Sequence, residues 1–211
     1  MNTPFLGILM ILLTFGLAVL ATVLLLQARL RQRPMPWRSL ALGGAAWAAL
    51  YLTLLLSASL TSRGRMLGLN EDKKFCGFYI DCHMQVAVTR VDTARQLGTL
   101  QANGLLHVVT LRVSSDARAV PLRLLDPHFV LRDARGRRYL PVRAAERDSL
   151  SRLVGPGESF TTTVAFDVPP GTHTLRLDVT MGIWADRLIE LFLIGDEDSF
   201  LHKGTGFWIA V

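Results

Sequence analysis

Cys76 and Cys82 are the only thiols in the 211-residue chain; five residues lie between them and His83 follows directly. In an oxidising compartment a lone pair at this spacing closes a disulfide. Closing so short a loop contributes about 2 kcal/mol on the chain-entropy account. The alternative, metal or redox chemistry, lacks the Cys-x-x-Cys-His spacing of covalent haem attachment. The other histidines, His107, His128, His173 and His202, are scattered with no spacing typical of metal ligation. No Ser-His-Asp arrangement, nucleophile elbow or Gly-rich phosphate loop is visible, and Ser149 beside Asp148 is ordinary loop chemistry. The acidic loop Gly195-Asp196-Glu197-Asp198-Ser199 invites calcium but lacks the spaced ligands of an EF-hand. These residues predict no catalytic group, no metal, no cofactor and no small-molecule substrate.

Two charge clusters could instead recognise a partner. Arg132, Arg135, Arg137 and Arg138, with Arg143 and Arg147, make one stretch basic. Asp186, Glu190, Asp196, Glu197 and Asp198 make another acidic. They are either solvated hairpin edges or complementary docking surfaces. Phe207 and Trp208 lie in an apolar stretch, 204–211, that is either a final strand or an interface segment. Nucleic acid is excluded as a partner. The net charge of +6 resides in residues 1–69, which hold six arginines and no acid, and the remainder is neutral. A neutral domain lacks the basic footprint that phosphate binding requires.

Residues 5–27 form an uncharged apolar run of 23 residues. At 1.5 Å per residue it spans about 34 Å, enough to cross a bilayer core of ~30 Å. A cleaved signal peptide is the rival reading, but residues 1–4 carry no positive charge and the run exceeds the usual hydrophobic region. Residues 40–60 form a second uncharged run, and the loop between the two carries four arginines, two prolines and Trp37. Residues 1–60 thus read as a transmembrane hairpin whose loop faces the cytoplasm and whose ends face the periplasm of a bacterial inner membrane. Neither span contains an ionisable residue, so the hairpin offers packing surface rather than a conduction path. On the second span Ala41, Ala45 and Ala49 lie four apart, as do Gly44 and Ala48. Such faces permit close backbone approach, either by the first span or by a partner subunit.

Residues 61–81 read as a polar linker carrying the cysteine pair, and residues 82–211 as an all-β domain with a C-terminal extension. Apolar residues alternate at Met84, Val86 and Val88, at His107, Val109, Leu111 and Val113, and at Phe160, Thr162, Val164 and Phe166. Turn signals separate the runs, at Asp133-Ala134-Arg135-Gly136 and Pro169-Pro170-Gly171. Short alternating strands of this kind predict an antiparallel sandwich. Residues 144–154 alone resemble a helical turn, and residues 188–194 and 206–211 are the last candidate strands.

The order Val88-Thr89-Arg90-Val91-Asp92, a long strand over residues 106–114, then Leu125-Asp126-Pro127-His128-Phe129-Val130-Leu131-Arg132-Asp133 with Gly136 and Tyr139 is distinctive. Leu153-Val154-Gly155-Pro156-Gly157-Glu158-Ser159 and Val164-Ala165-Phe166-Asp167-Val168-Pro169 complete it. This pattern resembles the immunoglobulin-like domains of unknown function in bacterial lipoproteins and membrane-tethered exported proteins, over residues 85–179. The resemblance implies an extracytoplasmic sandwich and carries no catalytic residues.

The expected architecture is a two-helix transmembrane hairpin followed by an all-β, immunoglobulin-like antiparallel β-sandwich. The expected role is a non-enzymatic accessory subunit of a larger bacterial membrane complex, respiratory or photosynthetic, whose partners are other membrane subunits and the lipid bilayer. A membrane-tethered binding module for an envelope ligand or protein is the alternative. The arginine loop generates a test of topology: a reporter active only in the cytoplasm, fused after Val211, is expected to stay silent. Activity there would reverse the orientation.

Overall fold

The computed structural model describes residues 3–34, 36–77, 81–143 and 150–209. The chain forms two compact units, Met1–Arg63 with Arg187–Lys203 and Gly64–Asp186 with Gly204–Val211.

In the first unit, α1 (Thr3–Leu30) and α2 (Trp37–Thr61) are both long and apolar enough to cross a membrane. Pro34 and Pro36, which cannot extend a helix from within, fall in the break between them. Hydroxyls on the helices turn back onto their own backbone: Thr14 donates to the Met10 carbonyl at 2.8 Å, Thr22 to Ala18 at 2.8 Å and Thr53 to Ala49 at 2.7 Å. These three hydroxyls are thereby satisfied within their own helices. Met10, Leu55 and Ile194 form a small buried cluster, flanked by Leu6, Trp47, Tyr51, Leu54 and Ala58.

Residues 188–194 are not the strand expected. The short helix α3 (Trp184–Glu190) continues into turns, with Phe192 N–H bonding the Ile189 carbonyl and Leu193 N–H that of Glu190. A short apolar run is ambiguous between helix and strand by periodicity alone. Here the i→i+3 bonds decide it. Arg187–Lys203, within the C-terminal extension, belongs to the helical unit.

The second unit is a β-sandwich. Its strands are β1 (Met66–Leu67), β2 (Asp72–Gly77), β3 (Asp81–Leu97), β4 (Leu100–Ser115), β5 (His128–Arg132), β6 (Arg138–Tyr139), β7 (Pro141–Arg143), β8 (Ser159–Val168), β9 (Leu175–Thr180) and β10 (Gly206–Ile209). One sheet has the order β1-β10-β9-β5-β6 and the other β2-β3-β4-β8-β7. All pairings are antiparallel except β1 with β10. Residues 61–81 are therefore more than a linker, because β1 and β2 lie within them. A two-residue strand paired across 140 positions leaves no local pattern to find. The helical turn expected near residue 144 falls mostly on residues 144–149, outside the described ones.

Alternation fills the space between the sheets. Val86 and Val88 of β3, Val109, Leu111 and Val113 of β4, and Val164, Phe166 and Val168 of β8 share one core with Phe129, Leu131, Leu175, Leu177, Val179, Phe207 and Ile209 of the facing sheet. Full burial of each such side chain contributes roughly 1.5–3 kcal/mol. At the Pro156-Gly157-Glu158 turn, Gly157 has φ +73°, which favours glycine, and Glu158 Oε2 accepts from Gly155 N–H at 3.0 Å. Asp167 ties the end of β8 to the start of β4 by accepting from Asn103 and Gly104 N–H at 2.8 and 2.9 Å. These contacts explain why both sequence patterns are local and specific.

The Cys76–Cys82 disulfide is formed and staples β2 to β3. Alkylation of native protein without reductant is expected to modify neither thiol, and replacing both cysteines by serine to lower the unfolding free energy by about 2 kcal/mol. Labelling of both thiols before reduction would contradict the pairing.

His107 stands on the inward face of β4 with Val109 and Leu111, only 4% exposed. Its Nδ1 is buried and has no hydrogen-bond partner among the described residues, and burial pushes the imidazole below its ordinary value. The unfolded chain binds this proton below about pH 6.5 while the folded one resists, so stability holds above that pH and falls below it. His107→Leu is expected to flatten the loss of thermal stability between about pH 7 and about pH 5. An unchanged pH profile would exclude His107 as its source.

Candidate functional site

Four regions hold the residues that chemistry would use. At the disulfide corner, Asp116 gathers three neighbours: His83 Nδ1 at 2.7 Å, Gln85 Nε2 at 2.6 Å and Lys74 Nζ at 3.0 Å. The bonds from His83 and Lys74 hold its carboxyl below the usual range. Asp116 is thus the acceptor and His83 donates from Nδ1. Such a pair orients an imidazole, but the adjacent Ser115 is buried and its Oγ already accepts from Ala117 N–H at 3.3 Å. The cluster braces the β2-β3-β4 corner. Lys73, also buried, donates to the Val179 carbonyl and to that of Thr205, each at 3.0 Å, and lies 5.2 Å from the centre of the Phe75 ring. It joins β2 to β9 of the other sheet.

The basic stretch is partly consumed by the sandwich. Arg132, Arg138 and Arg176 stand abreast on β5, β6 and β9. Like charges at such positions destabilise a sheet. Asp178 relieves this, receiving Arg132 Nε at 2.7 Å and Arg176 Nε from the other side. Asp133 receives Arg137 Nε at 2.6 Å, the Tyr139 hydroxyl at 3.1 Å and the N–H groups of Arg135 and Arg137 at 2.9 Å. Burial raises the Asp133 carboxyl, but these bonds, led by Arg137, win and hold it low. Arg135 and Arg138 remain exposed.

The acidic stretch is not a matching patch on the sandwich. Asp186 accepts from Ile183 N–H at 3.3 Å, and Asp196 from Asp198 N–H at 2.9 Å, so both shape local turns. Glu190, Asp196, Glu197 and Asp198 lie in the helical unit. Phe207 is fully buried in the sandwich core and cannot dock a partner, whereas Trp208 is 46% exposed.

A concavity lies in the helical unit. An apolar groove of about 770 Å³ is walled by Ile11, Phe15, Ala18, Trp47, Ala48, Tyr51, Leu52, Leu188, Ile189 and Phe192. Its aromatic residues present no polar tips. Trp47 Nε1 donates to Thr14 Oγ1 at 3.0 Å and the Tyr51 hydroxyl to the Phe192 carbonyl at 2.6 Å. A second cleft of about 340 Å³ runs along the helices past Gly43, Gly44 and Trp47. The helices meet through Trp47, Tyr51, Leu54, Leu55 and Ala58, leaving Ala41, Ala45 and Ala49 exposed. Among the described residues no group of three His, Cys, Asp or Glu is gathered as metal ligands would be.

Sequence reasoning missed Lys73, the Asp116 and Asp133 networks and the groove. Trp47 and Tyr51, one turn apart in the apolar run of α2, were the available signal for the last.

No protein-family model and no curated protein matches the chain. Among solved structures, it is similar to MPT63, a secreted protein of Mycobacterium tuberculosis, with 15% identity over 56% of this chain and 92% of that one, TM-score 0.43. It is similar to a conserved hypothetical protein of Bacillus anthracis at 18% identity over 52% of this chain and 87% of that one, TM-score 0.39. An uncharacterized β-sandwich protein of Clostridium difficile 630 matches at 10% identity over 71% of this chain and 97% of that one, TM-score 0.39. At these identities and scores no site or activity passes from those proteins to this chain.

Proposed function

We propose that this chain is a non-enzymatic accessory subunit of a bacterial inner-membrane complex, respiratory or photosynthetic. It is anchored by α1 and α2 as transmembrane spans and carries an immunoglobulin-like sandwich, akin to those of tethered exported proteins, on the periplasmic side. The observation that carries this reading is the uncovered helix surface. In α1 and α2 only Gly7, Met10, Leu55 and Ser59 are buried among the described residues, and the small-residue face of Ala41, Ala45 and Ala49 is exposed. Lipid covers such a surface in general, and a small-residue face admits a neighbour's helix at close range. The sandwich contributes rigid strands and the exposed Arg135 and Arg138, which orient a partner more than they bind it.

Solubilised in mild detergent, the wild-type protein is expected to migrate with other membrane polypeptides. Ala45→Leu with Ala49→Leu is expected to release it, and its deletion to weaken the complex without abolishing that complex's chemistry. A protein that runs as a lone monomer and turns over a substrate by itself would overturn this function.

A further inference from the structure

We infer that Arg187–Lys203 is a third membrane element, a re-entrant segment immersed in the hydrocarbon of the periplasmic leaflet beside α1 and α2. The inference rests on reading those helices as spans. Bonds and contacts fix the segment's level along α2. Tyr51 holds the Phe192 carbonyl at 2.6 Å, Leu55 packs with Ile194, Ser59 Oγ lies 3.4 Å from Ser199 Oγ, and Ser62 Oγ accepts from Lys203 N–H at 2.9 Å. Tyr51 is ten residues from Thr61, the end of α2. At 1.5 Å per residue Phe192 therefore sits about 15 Å below that end, near the middle of a ~30 Å core, while Ser199 and Lys203 return to the rim.

Non-helical backbone tolerates that depth only when its polar groups are satisfied and protein covers part of it. Much of this segment's backbone is satisfied internally, and Leu193 and Ile194 are covered. Leu191 N–H bonds the Arg187 carbonyl, Phe192 that of Ile189, Leu193 that of Glu190, Asp196 that of Leu193, Ser199 that of Asp196, Phe200 that of Leu191 and His202 that of Ser199. A methyl group at Gly7 of α1 would lie 2.7 Å from the Ile194 carbonyl oxygen, so glycine there admits the segment's backbone. Leu193 and Ile194 are buried, whereas Leu188, Ile189 and Phe192 are about half exposed and continue the apolar wall formed by Ile11, Phe15 and Leu52. That continuity identifies the covering partner as lipid acyl chains. The acids Asp196, Glu197 and Asp198 fall between the Leu55 and Ser59 levels, about 3–9 Å inside the end of α2, and they and the half-buried Glu190 are all partnered.

Nitroxide labels on cysteines introduced one at a time at Leu188 and Ile189, in the full chain reconstituted in phosphatidylcholine vesicles, test this by collision with oxygen and with a nickel chelate. The native cysteines are disulfide-bonded and stay unlabelled. Labels at both positions are expected to show high oxygen and low nickel access, with a ratio about tenfold above that of a label at Arg135 and close to that of one at Leu50 in α2. High nickel access at Leu188 and Ile189 with Leu50 still shielded overturns the re-entrant segment alone. Low access to both reagents there means protein rather than lipid covers it, which also overturns the inference. High nickel access at Leu50 as well overturns the spanning helices and the segment together.

Discussion

Apolar helix surface that its own chain does not cover is the constraint on which the helical unit depends. The hydroxyls of Thr14, Thr22 and Thr53, the indole of Trp47 and the phenol of Tyr51 all end on acceptors within the unit. In water these groups would lose little by facing solvent. In hydrocarbon each unmade bond costs several kcal/mol. Within Arg187–Lys203 most of the bonded N–H groups find carbonyls three or four residues back, and Phe200 N–H reaches the Leu191 carbonyl.

The sandwich obeys the opposite regime. Its core is apolar and its few interior charges are saturated rather than avoided: Lys73 reaches two carbonyls and Asp133 receives four donors. Unpaired, either ion would be costly to bury. Paired, they fix geometry, Lys73 between the sheets and Asp133 within the β5–β6 turn, where Gly136 at φ +79° closes the hairpin. Arg132 and Arg176 serve the same end through Asp178. The arginine stretch is thus in part the sheet's own electrostatic repair, with Arg135 and Arg138 among its outward charges.

Much of this was legible because it is local. The uncharged runs, the alternation through β4 and β8, the Pro156-Gly157-Glu158 turn and the cysteine pair each declare themselves within a few residues. What was not legible is non-local or ambiguous by length. β1 pairs with β10 over two residues, and the Asp178 partner of Arg132 depends on register. Residues 188–194 are as compatible with a strand as with a helix by pattern. Phe207 was placed at an interface because a terminal aromatic pair looks the same whether its first or second ring points inward. Of the candidate site, the cysteines and the small-residue face were visible, while the groove was not, since it needs Phe192 brought beside Tyr51 across 141 positions.

β9 and β10 are antiparallel neighbours that a hairpin of two to five residues would ordinarily join. Instead 25 residues separate Thr180 from Gly206. Length itself is cheap: extending a closed loop from about four residues to that length adds roughly 1.5 kcal/mol of closure entropy. Order is not cheap, since fixing each residue's backbone costs roughly 1–2 kcal/mol. An excursion of this size stays ordered only where something holds it, and here the holders are named: Tyr51, Leu55, Ser59 and Ser62 on α2, with Gly7 making room on α1.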